Sequence, residues 1–135
     1  MTKIVINKCY GGYGLSLEAI RAIAKRKGIT LYERHESYSA LIGPSFYIVP
    51  PEEHDKVYEK DKVKGNYTLS NRLTFSYHDI PRDDKDLVAV VKKLGVAANG
   101  NYAALKIVSI PDGVEWRISE YDGIETIEEE HRSWG

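Results

Sequence analysis

Residues 3–28 read KIVINKCYGGYGLSLEAIRAIAKRKG, a short β-branched run, a glycine-rich turn and an amphipathic segment in immediate succession. Ile4, Val5 and Ile6 form the run expected of a buried strand over Lys3 to Lys8, and the turn at Cys9-Tyr10-Gly11-Gly12-Tyr13-Gly14 ends it. Ser16 has the side chain of a helix N-cap, with Leu15 and Ile20 at the two positions of a hydrophobic staple. Leu17, Ile20, Ile23 and Ala24 keep helical spacing. Arg21, Lys25, Arg26 and Lys27 suit the negative end of the helix dipole, and Gly28 stops the helix.

The same mixture of signals continues outward from this stretch. Residues 29 to 35 and Ser45 to Val49 read as strands, the latter stopped by Pro50-Pro51. From residue 51 to 71 the composition is polar without clear periodicity, the pattern of a solvated loop, a short helix, an insertion or a lid. Arg72 to Ile80 alternates Leu73, Phe75 and Tyr77 with Thr74, Ser76 and His78, a strand pattern that Pro81 terminates. Asp83 or Asp84 can cap a second helix, in which Leu87, Val88, Val90, Val91 and Leu94 share one face before Gly95. Residues 103 to 110 and 114 to 121 read as two strands of a hairpin joined by Pro111-Asp112-Gly113. The acidic segment from Glu125 to Glu130 reads as a solvated helical face with a frayed end. The resulting order β-α-β-β-β-α-β-β implies an α/β or α+β fold, two helices packed on a mixed sheet.

Length and composition bound the function. A chain of 135 residues fits one domain, since domains cluster at roughly 100–150 residues. Its 19 Lys and Arg against 20 Asp and Glu leave no basic stripe of the kind that holds a nucleic-acid polymer. No apolar run approaches the roughly 18 residues that cross a bilayer, and the start lacks a signal-peptide pattern, so the expected compartment is the cytoplasm. The single cysteine, Cys9, excludes an internal disulfide and a multi-cysteine zinc site. The four histidines lack metal-ligand spacing, and neither a metal nor a cofactor is expected. Ten tyrosines against two phenylalanines stand out, because a hydroxyl is carried where packing alone would not require one.

The candidate ligand residues gather at the junction of the first strand and helix. Asn7, Cys9, Gly11, Gly12, Gly14 and Ser16 lie where backbone N–H groups and a helix N-terminus can meet a phosphate or carboxylate. The GGYG pattern is neither a dinucleotide fingerprint nor a Walker loop, and its glycines also suit a sharp turn with no ligand at all. Tyr10 and Tyr13 bracket the glycine pair and can stack on a base, or simply pack on a sheet edge. A second strand-to-helix junction would follow residues 72–80. If the two strands run parallel, Arg82 becomes a bidentate phosphate clamp opposite the glycine loop, with Asp83 a cap or a ribose acceptor. Tyr121, His131, Arg132 and Trp134 join aromatic and basic groups near the end of the sequence. Cys9 is either a core residue or a nucleophile at a helix start. No Gly-x-Ser-x-Gly elbow is present.

KIVINKCYGGYGLS at 3–16, IPRDDKDLVAVVKKLG at 80–95 and LKIVSIPDGVEWRISEYDGIETIEEEHRSW at 105–134 resemble a family of small proteins encoded by bacteriophages and prophages. Residues 29–79 carry no such resemblance. Small phage proteins of this size include inhibitors of host antiviral defence that act as sponges, sequestering a nucleotide-derived immune signal such as a cyclic ADP-ribose derivative or a cyclic oligonucleotide. The resemblance and the residues together imply a homo-oligomeric binding protein for a small nucleotide ligand. A hydrolase or transferase using Cys9 or a histidine, and a protein–protein inhibitor of a host factor, are the alternatives.

Overall fold

The computed structural model describes residues 1–35 and 44–129, which form an α+β fold. They divide into two compact units, one built from residues 1–23 and from residue 80 onward, the other from residues 24–79. The first unit opens with β1 (Thr2–Asn7), whose Ile4, Val5 and Ile6 are buried. After the glycine turn comes α1 (Leu17–Arg26), in which Ser16 Oγ accepts the Ala19 N–H at 3.1 Å as the cap the sequence predicts. Gly28 at φ +72° closes this helix, its N–H bonding the Lys25 carbonyl while the Ile29 N–H reaches Ala24.

The second unit carries two short strands and two helices beyond the end of α1, before a 3₁₀ turn. β2 (Tyr32–Arg34) pairs antiparallel with β3 (Ser45–Tyr47), and the polar stretch that follows forms α2 (Pro51–Lys64) and the one-turn α3 (Thr68–Asn71). Helix α2 starts at a proline pair, which presets the first turn, and ends at Gly65 in the left-handed region. The buried Asp61 carboxylate accepts the Ser70 N–H at 2.8 Å and so ties α3 to α2. Tyr47, His54, Tyr58 and Tyr67 follow one another at centroid distances of 4.5, 6.1 and 5.4 Å, which accounts for several of the tyrosines as packing. Arg34 bonds Asp55 at 2.8 Å, and that bond holds the Asp55 carboxyl below the usual carboxylate range.

The strand expected over Arg72 to Ile80 does not form. Only Thr74 bridges to β3, through Ile48 N–H to Leu73 carbonyl and Phe75 N–H to Phe46 carbonyl contacts, and Tyr77–Asp79 turn into a 3₁₀ helix. The alternation of Leu73, Phe75 and Tyr77 therefore serves a single bridge and a turn rather than a ladder.

The chain then returns to the first unit through α4 (Lys85–Leu94). Asp84, not Asp83, caps it, accepting from the Asp86 and Leu87 N–H groups at 3.0 Å each. Leu87, Val90 and Val91 are buried, and α4 packs on β1 and on β4 (Leu105–Ile110). β1 and β4 pair antiparallel from Thr2↔Ile110 to Asn7↔Leu105. β5 (Trp116–Tyr121) pairs instead with β6 (Ile124–Glu129), so residues 103–110 and 114–121 do not form the expected hairpin with each other. Asp112 of the connecting turn is held by the Thr2 hydroxyl at 2.9 Å, on the strand that β4 actually pairs with. The acidic segment expected to be helical is β6, because Asp122 at φ +50° and Gly123 at φ +89° make a two-residue hairpin turn. No helix among the described residues is long and apolar enough to cross a membrane.

The cap supplies a first test. Asp84→Ala leaves two helix N–H groups without their acceptor and should lower stability by about 1 kcal/mol in urea unfolding. Asp83→Ala, at an exposed neighbour, should change it by less than about 0.5 kcal/mol.

Candidate functional site

A strand in a two-stranded ribbon leaves one edge of backbone groups without a partner. On that edge of β1, Val5 donates its N–H to the Arg82 carbonyl at 2.9 Å, and Arg82 Nη1 donates to the Val5 carbonyl at 3.3 Å. The Asn7 N–H donates to Glu125 Oε1 at 2.8 Å. Arg82 then closes the arrangement on the buried Glu125, Nη1 to Oε1 at 2.6 Å and Nη2 to Oε2 at 2.9 Å. An arginine and a glutamate thus occupy the place of a third strand. The guanidinium carbon also lies 3.4 Å from the centre of the Tyr13 ring.

Asn7 anchors the turn that follows. Its side chain is fully buried, and its amide meets four partners. Oδ1 accepts from the Ala104 N–H at 2.9 Å and the Cys9 N–H at 3.3 Å, while Nδ2 donates to the Cys9 carbonyl at 2.7 Å and the Gly123 carbonyl at 2.6 Å. Two acceptor and two donor positions are all that an amide side chain has.

Glycines let three loops close on one another here. A Cβ on Gly11 would run into Tyr102, and one on Gly123 would run into the Tyr10 carbonyl and lie 2.6 Å from the Gly12 nitrogen. Gly100 donates its N–H to the Gly14 carbonyl at 2.9 Å, and a Cβ there would lie 2.8 Å from the Gly14 carbonyl carbon. The loops at 9–14, 99–103 and 121–124 therefore meet backbone to backbone. With the backbones packed inward, Tyr10, Tyr102 and Tyr121 are 74%, 75% and 78% exposed.

Of the residues singled out from the sequence, Asn7, Cys9, Tyr10, Gly11, Gly12, Tyr13, Gly14 and Tyr121 belong to these loops or their strand ends. Arg82 adjoins them through Tyr13 and Val5, but not as the phosphate clamp it was expected to be. Its fork faces Glu125, and the parallel strand that would have presented it to the glycine loop is absent. Ser16 caps α1 and donates to the Ala97 carbonyl at 2.6 Å, so its hydroxyl serves the fold. Asp83 is exposed on the turn before α4, and Cys9 is half-buried. His131, Arg132 and Trp134 lie outside the described residues.

Glu125, Gly123 and Tyr102 are central and were not singled out. The Tyr121-Asp122-Gly123-Ile124 string carried the missing signal, since Asp-Gly between apolar residues marks a tight hairpin and turns Glu125 back toward β1. Among the described residues no group of three or more His, Cys, Asp or Glu converges to hold a metal ion. No family model matches the chain, and neither a curated protein nor a solved structure does.

Arg82→Ala would leave the Glu125 carboxylate buried without its counter-charge and should cost about 3–5 kcal/mol of stability in urea unfolding. Gly113 and Gly123 give a matched pair for the loop contact. Both have positive φ, but a Cβ on Gly113 meets nothing within 4 Å. Gly113→Ala should cost about 1–2 kcal/mol, the ordinary cost of the left-handed region, and Gly123→Ala markedly more. Equal losses would show that the close approach at Gly123 is easily relieved.

Proposed function

We propose that the chain is a binding protein that captures a small nucleotide-derived ligand without turning it over. The supporting observation is the set of three tyrosines, each about three-quarters exposed, on loops whose backbones meet at Gly11 and Gly12. Exposed aromatic rings on a rigid support are suited to stacking on a base, whose faces are apolar and flat. The rigidity comes from the buried Asn7 amide and the glycine contacts, so little ordering is left to be done on binding. Asn7, Ser16 and Arg82 are engaged in holding the fold, which favours binding over catalysis.

The resemblance of residues 3–16, 80–95 and 105–134 to phage-encoded proteins gives this capture a setting. A cyclic ADP-ribose derivative or a cyclic oligonucleotide, sequestered in a bacterial host, would no longer trigger antiviral defence. The same loops, rich in Tyr, Gly and Asn, also have the composition of protein-docking loops, and this favours a host protein as the second reading.

Native mass spectrometry of freshly purified protein reads any retained nucleotide and the number of chains together. Heat release should return the ligand with unchanged mass. Alanine in place of Tyr10, Tyr102 or Tyr121 should weaken binding by about 1–3 kcal/mol where the ring stacks on a base, and phenylalanine should restore most of it. A released product of altered mass selects an enzyme. Failure to retain or bind any nucleotide, with a host protein co-purifying, selects the protein inhibitor.

A further inference from the structure

Asn99-Gly100 is the one Asn-Gly pair in the sequence, and the fold makes use of both members. The loops at 9–14 and 99–103 join through the Leu15↔Asn99 bridge, where Ser16 donates its N–H to the Ala98 carbonyl and Gly100 donates its N–H to the Gly14 carbonyl, each at 2.9 Å. A Cβ at position 100 would lie 2.8 Å from the Gly14 carbonyl carbon, so this approach calls for glycine. At position 99 the side-chain Oδ1 accepts the Leu105 N–H at 2.9 Å, where β4 begins.

The same pair is chemically labile in a flexible chain. The nitrogen that follows an asparagine can attack the side-chain carbonyl carbon, and glycine leaves that approach unhindered. Here the bond from Gly100 N to Asn99 Cγ would form and the Cγ–Nδ2 bond would break, the Gly100 amide proton leaving with the ammonia released. Water then opens the succinimide at either carbonyl, giving aspartate or isoaspartate, whose main chain runs through Cβ and Cγ and is longer by a carbon. The closed fold holds this reaction off. The attacking nitrogen keeps its proton in the bond to Gly14, and Oδ1 is fixed on Leu105. The backbone at Asn99 is extended, with φ −70° and ψ 131°, so the nitrogen must swing toward the side chain before the ring can close.

We propose that Asn99-Gly100 is a deamidation site gated by the contact between these two loops, unreactive while Gly100 is bonded to Gly14 and reactive when the loops part. Isoaspartate formation then makes a local, reversible opening permanent, because the longer backbone draws Gly100 off Gly14 and Ala98 off Ser16. Water is the co-reactant, and no bound ligand is needed.

The test follows position 99 of the full chain in warm, mildly alkaline buffer, by peptide mapping with fragmentation that separates aspartate from isoaspartate. In urea Asn99 should convert readily, mostly to isoaspartate, and in native buffer at least about tenfold more slowly, since only the open fraction reacts. Gly11→Ala, whose Cβ would run into Tyr102 on the facing loop, should raise the native rate and leave the rate in urea unchanged. The wild-type comparison stands whether or not that variant folds. Equal wild-type rates in native buffer and in urea would overturn the gate. Amide hydrogen exchange reads the consequence: isoaspartate protein should lose protection at Ser16 and Gly100, whereas freshly prepared Asn99→Asp, which keeps an acceptor for the Leu105 N–H, should retain it. Intact protection in the isoaspartate protein would overturn the permanent opening.

Discussion

The Arg82–Glu125 ion pair along the free edge of β1 is the contact on which the first unit depends. Its members come from parts of the chain that are far apart in sequence, and each also satisfies a backbone group of the strand. Two charges removed from water compensate their desolvation only when the geometry is good and the remaining lone pairs are met. Here the fork meets the carboxylate at two points, and the Asn7 N–H supplies a third bond. The pair also sets register. A one-residue slip of β6 would bring Ile124 or Thr126 opposite Arg82, leaving a half-buried guanidinium and the Asn7 N–H without an acceptor.

From that contact the arrangement of the loops follows. With β6 fixed against β1, the Asp122-Gly123 turn lies against Tyr10 and Gly12, and only a residue without a side chain fits at Gly123. The Asn7 amide bonds the backbone on both sides of this meeting, at Cys9 and at Gly123. Because the backbones fill the interior of the junction, the large side chains of Tyr10, Tyr102 and Tyr121 are left outside it. Tyr10, Tyr102 and Tyr121 are thus the exposed aromatic rings of this set of abutting loops.

Much of the scaffold was legible in the residues alone. α1 and α4 carry caps, apolar stripes and terminal glycines within a few residues of one another, and β1 is a plain β-branched run; each of these signals is local. The segment at 72–80 shows where such reading fails, since Leu73, Phe75 and Tyr77 alternate as in a strand, yet only Thr74 bridges to β3. The polar stretch after Pro51 lacks an apolar stripe, and its helix is defined by a proline start and Gly65 rather than by periodicity. At the candidate site the glycine loop, Asn7 and the tyrosines beside it were identifiable. Glu125 was not, because a glutamate in an acidic run looks solvated until the hairpin that buries it is recognised.

What the sequence determined by itself is therefore the set of elements with local signals, the α+β class and the tyrosine-bearing glycine turn. Which strand pairs with which, and what Arg82 faces, were decided only in the tertiary structure. Strand edges and charges take their partners from whatever segment the fold brings within hydrogen-bonding distance, and that choice is made by residues more than a hundred positions away, as between Asn7 and Glu125. An arginine beside a helix start has the chemistry of a phosphate clamp in either case. Only the burial of a carboxylate opposite it turns it into part of the fold.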